Sequence, residues 1–290
     1  MKKFAKVAAC AALALTCIAS AACADFDASK SINVISREDG SGTRGAFIEL
    51  TGVEQKVDGQ KVDMTTVDAQ ITNNTAVMIA TVGGDSYAIG YVSLGSMNDT
   101  VKAVKVEGVE ATAQTVADGT YKVARPFNIA YKEDTLSDLG KDFVAYIMSA
   151  EGQAIINENG YVGSNDAAAY AGNAPEGKLV IAGSSSVSPV MEKLVEAYCA
   201  LNTGATIEVQ TSDSTTGMTS AMDGTCDIGM ASRELKEEEA AALTAQAIAM
   251  DGIAVIVSND NPVEDLSVEQ IAAIFTGEVT NWDEVIDAAE

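Results

Sequence analysis

Along most of this chain, short β-branched runs alternate with stretches of helical period, and three of the strand-to-helix passages run through a tight cluster of Gly, Ser and Thr. That alternation restricts the fold more than any other feature, because strand–helix repetition sets strands side by side with helices on their faces. SINVIS (31–36), YAIGYVSL (87–94), VKAVKVEG (101–108) and KVARPFNIAY (122–131) predict strands. GTRGAFIEL predicts a helix start, and AVMIATV (76–82) fits a helix end. Phe143, Val144, Ile147, Met148, Ile155 and Ile156 then recur at the helix period. The segment VGSNDAAAYAGNAPEG (162–177) is rich in Ala, Gly and Asn without periodicity and predicts a linker. After it the pattern restarts with the strand KLVIAG (178–183) and a helix carrying Val190, Met191, Leu194, Val195 and Tyr198 on one face. ATIEVQ, CDIGMAS and IAVIVS (253–258) follow as strands. TGMTSAMDG follows as a short helix, and SVEQIAAIFTG as a helix with Ser267 as N-cap and Gly277 as its stop. The expected class is α/β with largely parallel sheets.

Charge and composition remove several function classes. With 42 acidic residues against 18 basic ones, the formal net charge is -24, which repels nucleic-acid backbones. Aromatic content of 5% gives no stacking surface for bases, so no nucleic-acid partner is expected. Apolar content of 47% supports a packed core rather than a disordered acidic tail. The chain has no histidine, which excludes Ser-His-Asp triads and His-ligated zinc. GSGT (40–43) lacks the Lys-Ser/Thr ending of a P-loop, and AMDGTCD and REDGSG lack calcium-loop spacing. RELKEEE (233–239) fits a solvated helix start. No metal, no cofactor and no catalytic residue is expected. Cys199 and Cys226 are the two cysteines beyond the N-terminal segment; a disulfide and two free thiols both stay open.

The first residues, 1–24, have the form of an export signal. Lys2, Lys3 and Lys6 precede an apolar run from Val7 to Ala19 that is too short to span a bilayer. The ending SAAC resembles a bacterial lipobox, with Cys23 as the lipidated residue and Ser20 where an aliphatic residue is usual. Ordinary cleavage near Ala22 or Ala24 is the alternative. Cleavage before Cys23 leaves 15 basic residues against 42 acidic ones, a balance of -27. The expected location is the outer face of the cell membrane, or the periplasm or medium.

Against this acidity, three loops look made to hold an anion: DGSGTRG (39–45), GSSSVSP (183–189) and SDSTTGM (212–218). Each puts hydroxyls beside the free N–H groups of a helix start, which carries about half a positive charge. Such loops often do no more than cap their helices, but three of them at strand ends of an α/β sheet mark a ligand-binding edge. Arg37, separated by two residues from the Gly40–Thr43 turn, adds a guanidinium that matches oxyanions in two-pronged fashion. The plainer reading is a surface arginine paired to Glu38 or Asp39. Arg44 fits an exposed helix position or a partner for Glu49.

GSSSVSPVMEKLVEAY, DSTTGM, CDIGMASREL, DGIAVIVSNDNPVEDLSVEQIAAIFTGEVTNWDEV and SREDGSGTRGAF together resemble the phosphate-binding proteins of high-affinity phosphate ABC importers. The resemblance covers nearly the whole chain after the signal. It implies two α/β lobes that close on inorganic phosphate, delivery to ABC permease subunits, and no enzymatic step. In that family the GSSSVSP half comes first and SREDGSGTR follows NWDEV; here SREDGSGTR comes first, so the order looks circularly permuted. One lobe would then combine 27–124 with 252–290 and carry the Arg-x-Asp-Gly-Ser-Gly-Thr loop. The other would hold 125–251 with the GSSSVSP and DSTTGM loops, and 162–177 would join the former termini. A truncated tandem is the rival account. Matching motifs carry the phosphate-binding role onto Ser185, the N–H of Ser186, Ser214, Arg37, Ser41, Gly42 and Thr43. Ser232 stands where many relatives have an aspartate that accepts the proton of monohydrogen phosphate. Asp39 would orient Arg37 or Ser41, or serve only as a turn former. The chain is expected to be a monomer held at the membrane through an N-terminal lipid anchor. A binding protein for another oxyanion, a signalling or adhesive relative of the same fold, and a phosphate-ester hydrolase remain as alternatives.

Overall fold

A computed structural model describes residues 26–286. The signal segment and Cys23 lie outside the described residues. Strand β1 (Asn33–Arg37) runs into helix α1 (Gly42–Thr51), followed by the hairpin β2 (Glu54–Val57) and β3 (Gln60–Asp63). Next come β4 (Gln70–Thr72), α2 (Thr75–Gly83), β5 (Ala88–Ser93), a 3-10 turn (Leu94–Ser96), β6 (Val101–Val106) and α3 (Ala113–Ala117). Strand β7 (Ala124–Tyr131) leads to α4 (Asp138–Ile147) and α5 (Ala150–Glu158). After these come β8 (Gly177–Ser184), α6 (Ser188–Leu201), β9 (Ala205–Ser212), α7 (Ser214–Asp223), β10 (Ile228–Ala231) and α8 (Glu237–Ala242). The long β11 (Thr244–Ser258) precedes β12 (Asp265–Leu266), α9 (Val268–Thr276) and α10 (Asp283–Ile286).

Ten strands form one sheet, ordered β4-β1-β5-β11-β7-β10-β8-β9, with β6 beside β11 and β12 beside β6. The sheet is mixed rather than largely parallel. β4, β1 and β5 run parallel at one end, and β10, β8 and β9 run parallel at the other. Between them the antiparallel pair β7 and β11 closes the order. Parallel neighbours need helical crossovers, and α1, α2, α6 and α7 supply them.

Apolar burial divides along the same line. One cluster gathers Phe47, Tyr91, Val123, Ile253, Phe275 and Trp282; a second gathers Phe127, Phe143, Ile156, Leu179, Tyr198 and Ala249. The chain passes from the first to the second between Val123 and Phe127, and back between Ala249 and Ile253. Both crossings lie on β7 and β11. β11 spends its first half paired with β7 and its second half paired with β5 and β6, so one strand serves both cores.

The segment 162–177 has no helix and little strand, as expected of a linker, yet it is fastened to the second core. Ala150 N–H donates to Ala168 O at 2.7 Å, and Asn202 Nδ2 donates to Pro175 O at 2.9 Å. Tyr170 stands edge-on to Tyr146, its hydroxyl donating to Asp142. Cys199 and Cys226 are free thiols, half-buried and buried respectively, which settles the alternative left open by the sequence.

Candidate functional site

Four helices begin at one place. α1, α2, α6 and α7 start at Gly42, Thr75, Ser188 and Ser214, and their first residues, or the loop just before them, touch one another. Thr43 and Ser186 hydroxyls lie 2.8 Å apart, and the Thr75 hydroxyl is 3.3 Å from Ser185 and 3.4 Å from Ser186. Arg37, at the end of β1, donates from Nη2 to Ser185 Oγ at 3.1 Å and from Nη1 to Thr75 Oγ1 at 3.4 Å. Ser186 N–H donates to Ser184 Oγ at 3.3 Å, Ser184 Oγ donates to Ser232 Oγ at 2.9 Å, and Ser232 N–H donates to Ser214 Oγ at 3.1 Å. The result is a continuous cage of hydroxyls around one guanidinium, built from both sides of the molecule. Arg37 is 2% exposed and Ser186 and Ser214 are fully buried.

The sequence placed Arg37, Gly42, Thr43, Ser185, Ser186, Ser214 and Ser232 in one site, and they do meet. Gly42 is there because nothing larger fits: a Cβ would lie 2.3 Å from Ser214 Oγ and 2.9 Å from Ser232 Oγ. Ser41 is buried beside them, but its hydroxyl accepts the Arg44 N–H at 3.3 Å and so caps α1 instead of joining the cage. Thr75 and Ser184 were missed. Thr75 opens α2 behind the N-cap Asn74, whose side chain accepts from Val77 N–H at 2.9 Å; that polar residue before an apolar run was the available signal.

Charge partners differ from those expected. Arg37 does pair with Glu38, through Nε at 2.8 Å and Nη2 at 2.7 Å, but as a buried residue rather than a surface one. Asp39 does not touch Arg37. Its exposed carboxylate takes Arg44 Nη1 at 2.7 Å. Arg44 is not an exposed helix residue, and Glu49 pairs with Lys61 instead. Arg44 also binds Asp63 on β3 and donates to the Arg37 carbonyl at 2.8 Å, so it fixes the backbone beneath the cage. Below that strand, Tyr91 OH meets Ser36 Oγ at 2.8 Å and accepts the Arg37 N–H at 3.2 Å; burial pushes its pKa up to about 12. RELKEEE is less solvated than expected, since Arg233 grips the buried Glu239 at 2.7 and 2.8 Å. Burial raises the Glu239 carboxyl, but Arg233 outweighs it and holds the carboxyl low.

Beside the cage a groove of about 1200 Å³ runs past Asn73, Asn74, Thr75, Ser185, Ser188 and Thr211. Thr75 and Ser185 belong to both, so the groove adjoins the cage. Four helix N-termini turn their positive ends toward the cage, beside a guanidinium whose charge Glu38 partly offsets. Hydroxyls that can donate or accept suit an oxyanion that carries a proton. The partners of these hydroxyls are other hydroxyls, backbone groups and Arg37.

Comparison with known proteins places the chain in a family. The model of the PBP superfamily domain matches residues 21–151 and 168–290. A phosphate-binding protein, PstS 2, from Streptococcus agalactiae is 52% identical over 270 residues, covering 91% of this chain and 92% of the relative. The PstS 2 of Streptococcus pneumoniae is 43% identical over 290 residues, 98% of this chain and 99% of the relative. The crystal structure of a phosphate-binding protein of a phosphate ABC transporter from Streptococcus pneumoniae superposes with a TM-score of 0.71 at 45% identity, over 88% of this chain and 99% of that one. The chain therefore belongs to the PBP superfamily and, within it, to the family of phosphate-binding proteins of ABC transporters.

Proposed function

We propose that the protein captures inorganic phosphate outside the cytoplasm and delivers it to an ABC permease, and that the hydroxyl cage around Arg37 is where phosphate sits. The convergence of Arg37, Thr43, Thr75, Ser185, Ser186, Ser214 and Ser232 carries this reading. Phosphate exchanges its water shell for these hydroxyls, the helix-start N–H groups and the Arg37 edge that here donates to Ser185 and Thr75. The two cores act as lobes, 27–124 with 252–290 and 125–251, and close over the anion about β7 and β11. The division of the apolar clusters along those strands supports this. Calorimetric titration with phosphate tests the site: Arg37→Ala should cost about 2–5 kcal/mol of binding. Unaltered affinity removes Arg37 from the site.

The segment order is that of a circular permutant, with 162–177 joining the former ends. A single alignment over 98% of the chain with the Streptococcus pneumoniae relative supports a shared order rather than a truncated tandem. Among the described residues no helix is long and apolar enough to cross a membrane. Attachment then falls to Cys23 as a lipidated residue, and metabolic labelling with a fatty-acid probe should mark the protein and not its Cys23→Ala variant.

Binding of a different tetrahedral oxyanion is the second reading, and Ser232 favours it. A serine accepts the proton of a hydrogen phosphate but does not repel an unprotonated oxyanion as a carboxylate does. Titration with phosphate, sulfate and molybdate separates the two.

A further inference from the structure

The chain has four arginines, and each stands against a carboxylate. Arg44 holds Asp39 and Asp63, Arg125 holds Asp251, Arg233 holds Glu239, and Arg37 in the cage holds Glu38. Glu38 takes Arg37 side-on, Oε2 accepting from Nε at 2.8 Å and Oε1 from Nη2 at 2.7 Å. Nη1 and Nη2 reach Thr75 and Ser185 on the other side, so the guanidinium lies between Glu38 and the cage hydroxyls. Backbone bonds fix Glu38 itself: its N–H donates to Thr72 O at 3.0 Å, and its carbonyl accepts the Ser41 N–H at 3.0 Å. Its side chain is 22% exposed against 3% for Arg37, which sets the carboxylate at the rim and the guanidinium inside.

The positive charge left for an anion is correspondingly small. At α7 the Asp213 carboxylate caps the helix, accepting Thr216 N–H at 2.8 Å, and it lies so close to Gly40 that a Cβ there would meet Oδ1 at 2.3 Å. A full negative charge outweighs the helix start, which carries about half a positive one. α1 and α2 give one N–H each to their neutral caps, Ser41 and Asn74. Arg44 and Arg233 lie beside the loops but are held by carboxylates of their own. Ser232 brings no charge at all. What remains is a cage rich in hydroxyls whose one cation is shared with Glu38.

We propose that Glu38 sets selectivity by charge: it weakens the pull of Arg37 on a second negative charge, so the cage favours phosphate that still carries protons over a fully ionised oxyanion such as sulfate. This rests on the phosphate-capture reading and deepens it, by naming the form of the ligand and a residue that selects it. Like charges brought near one another exclude the wrong ligand, and the cost grows with the charge the ligand carries. A protonated phosphate also brings O–H donors, for which the cage hydroxyls have free lone pairs; sulfate brings none. Ser232 cannot repel a fully ionised oxyanion, and Glu38 does so from the far side of the guanidinium.

The test is calorimetric titration of the full chain, Glu38→Gln and Glu38→Asp with phosphate and with sulfate, at one pH below and one above the second ionisation of phosphate. The unaltered protein should prefer phosphate to sulfate and bind phosphate more tightly at the lower pH. Glu38→Gln should improve sulfate binding about tenfold or more relative to phosphate, and shrink the difference between the two pH values by a similar factor. Glu38→Asp keeps the charge and should keep the preference, even where its shorter reach weakens both anions. The other ionisable groups around Arg37 are Tyr91, Arg44 with Asp39 and Asp63, Asp213, Arg233 with Glu239, and the buried pair Arg125 and Asp251. Burial pushes Asp251 up to about 6, and it titrates alike in every variant, so it cancels from the comparison. Equal losses for both anions with an unchanged ratio would mark a residue that only holds Arg37 in place, and would overturn the proposal. Loss of preference in Glu38→Asp as well as Glu38→Gln would overturn it too. If the unaltered protein binds no phosphate, or prefers sulfate, the capture reading itself fails; if it prefers phosphate and Glu38→Gln keeps both the ratio and the pH profile, only this inference does.

Discussion

Gly42 is the residue with the least freedom in the site, because its Cα faces Ser214 and Ser232 of the opposite core. Gly42→Ala would wedge the cores apart at the cage while leaving each core's packing alone. The expected loss is about 1–3 kcal/mol of phosphate binding, read by calorimetry, with little change in the melting of the free protein. On the proposed reading, Ser232 bears on selectivity more than on strength. Ser232→Asp should raise the preference for phosphate over sulfate, since an ionised carboxylate accepts a proton from hydrogen phosphate and repels sulfate; competition titration of the two anions checks this. Arg37 and most of the hydroxyls were legible in the sequence because Gly-Ser-Thr loops and an arginine form contiguous motifs. The partners of Arg44 and Asp39 were not, because Asp63 reaches Arg44 only through the fold of a hairpin. Thr75 was hidden for a similar reason: its neighbours in the cage are more than thirty residues away in the chain.

Among the elements, the helices that carry the cage were the easiest to foresee. Ser267 and Gly277 bound α9 as expected, and Gly224 stops α7 in the left-handed conformation. The hairpin β2–β3 went unseen although Asp58 and Gly59, both with positive φ, make the turn that Asp-Gly favours. The length of β11 was missed because its first half, TAQAIAMD, is only partly apolar; pairing with β7 makes it a strand. The linker's anchorage could not be read from a segment without periodicity, since it depends on Asp142 in α4. Tyr170 and Tyr198 both donate to that carboxylate, and Asn173 N–H donates at 3.0 Å. Burial raises the Asp142 carboxyl, but the two tyrosine hydroxyls and the backbone donors outweigh it, and its pKa ends below 3.8. A carboxyl held low stabilises the fold above its unfolded pKa and loses that contribution as pH falls through the folded value. Asp142→Asn should therefore cost about 1–2 kcal/mol near neutral pH. The gap to the unaltered protein should close below about pH 4, as chemical denaturation across pH would record.

At the scale of the whole molecule, a net charge of -24 opposes the approach of the anion that the cage is proposed to hold. The two effects act over different distances. Repulsion from scattered carboxylates extends through solvent and fades within about 10 Å at 0.1 M salt, whereas the hydroxyls, helix termini and Arg37 act at contact. Helix termini and a buried guanidinium are shielded from salt by the protein around them, so the bound state keeps its stabilisation as ionic strength rises. Raising salt from low values should then speed phosphate association, or leave it unchanged, and leave dissociation nearly constant; stopped-flow measurement over a salt series gives both rates. A steep slowing of association would mean that a long-range positive field draws phosphate in, which acidic surfaces alone do not produce. The cage would then have to be reached along a basic path, and the groove past Asn73, Asn74 and Ser188 offers none.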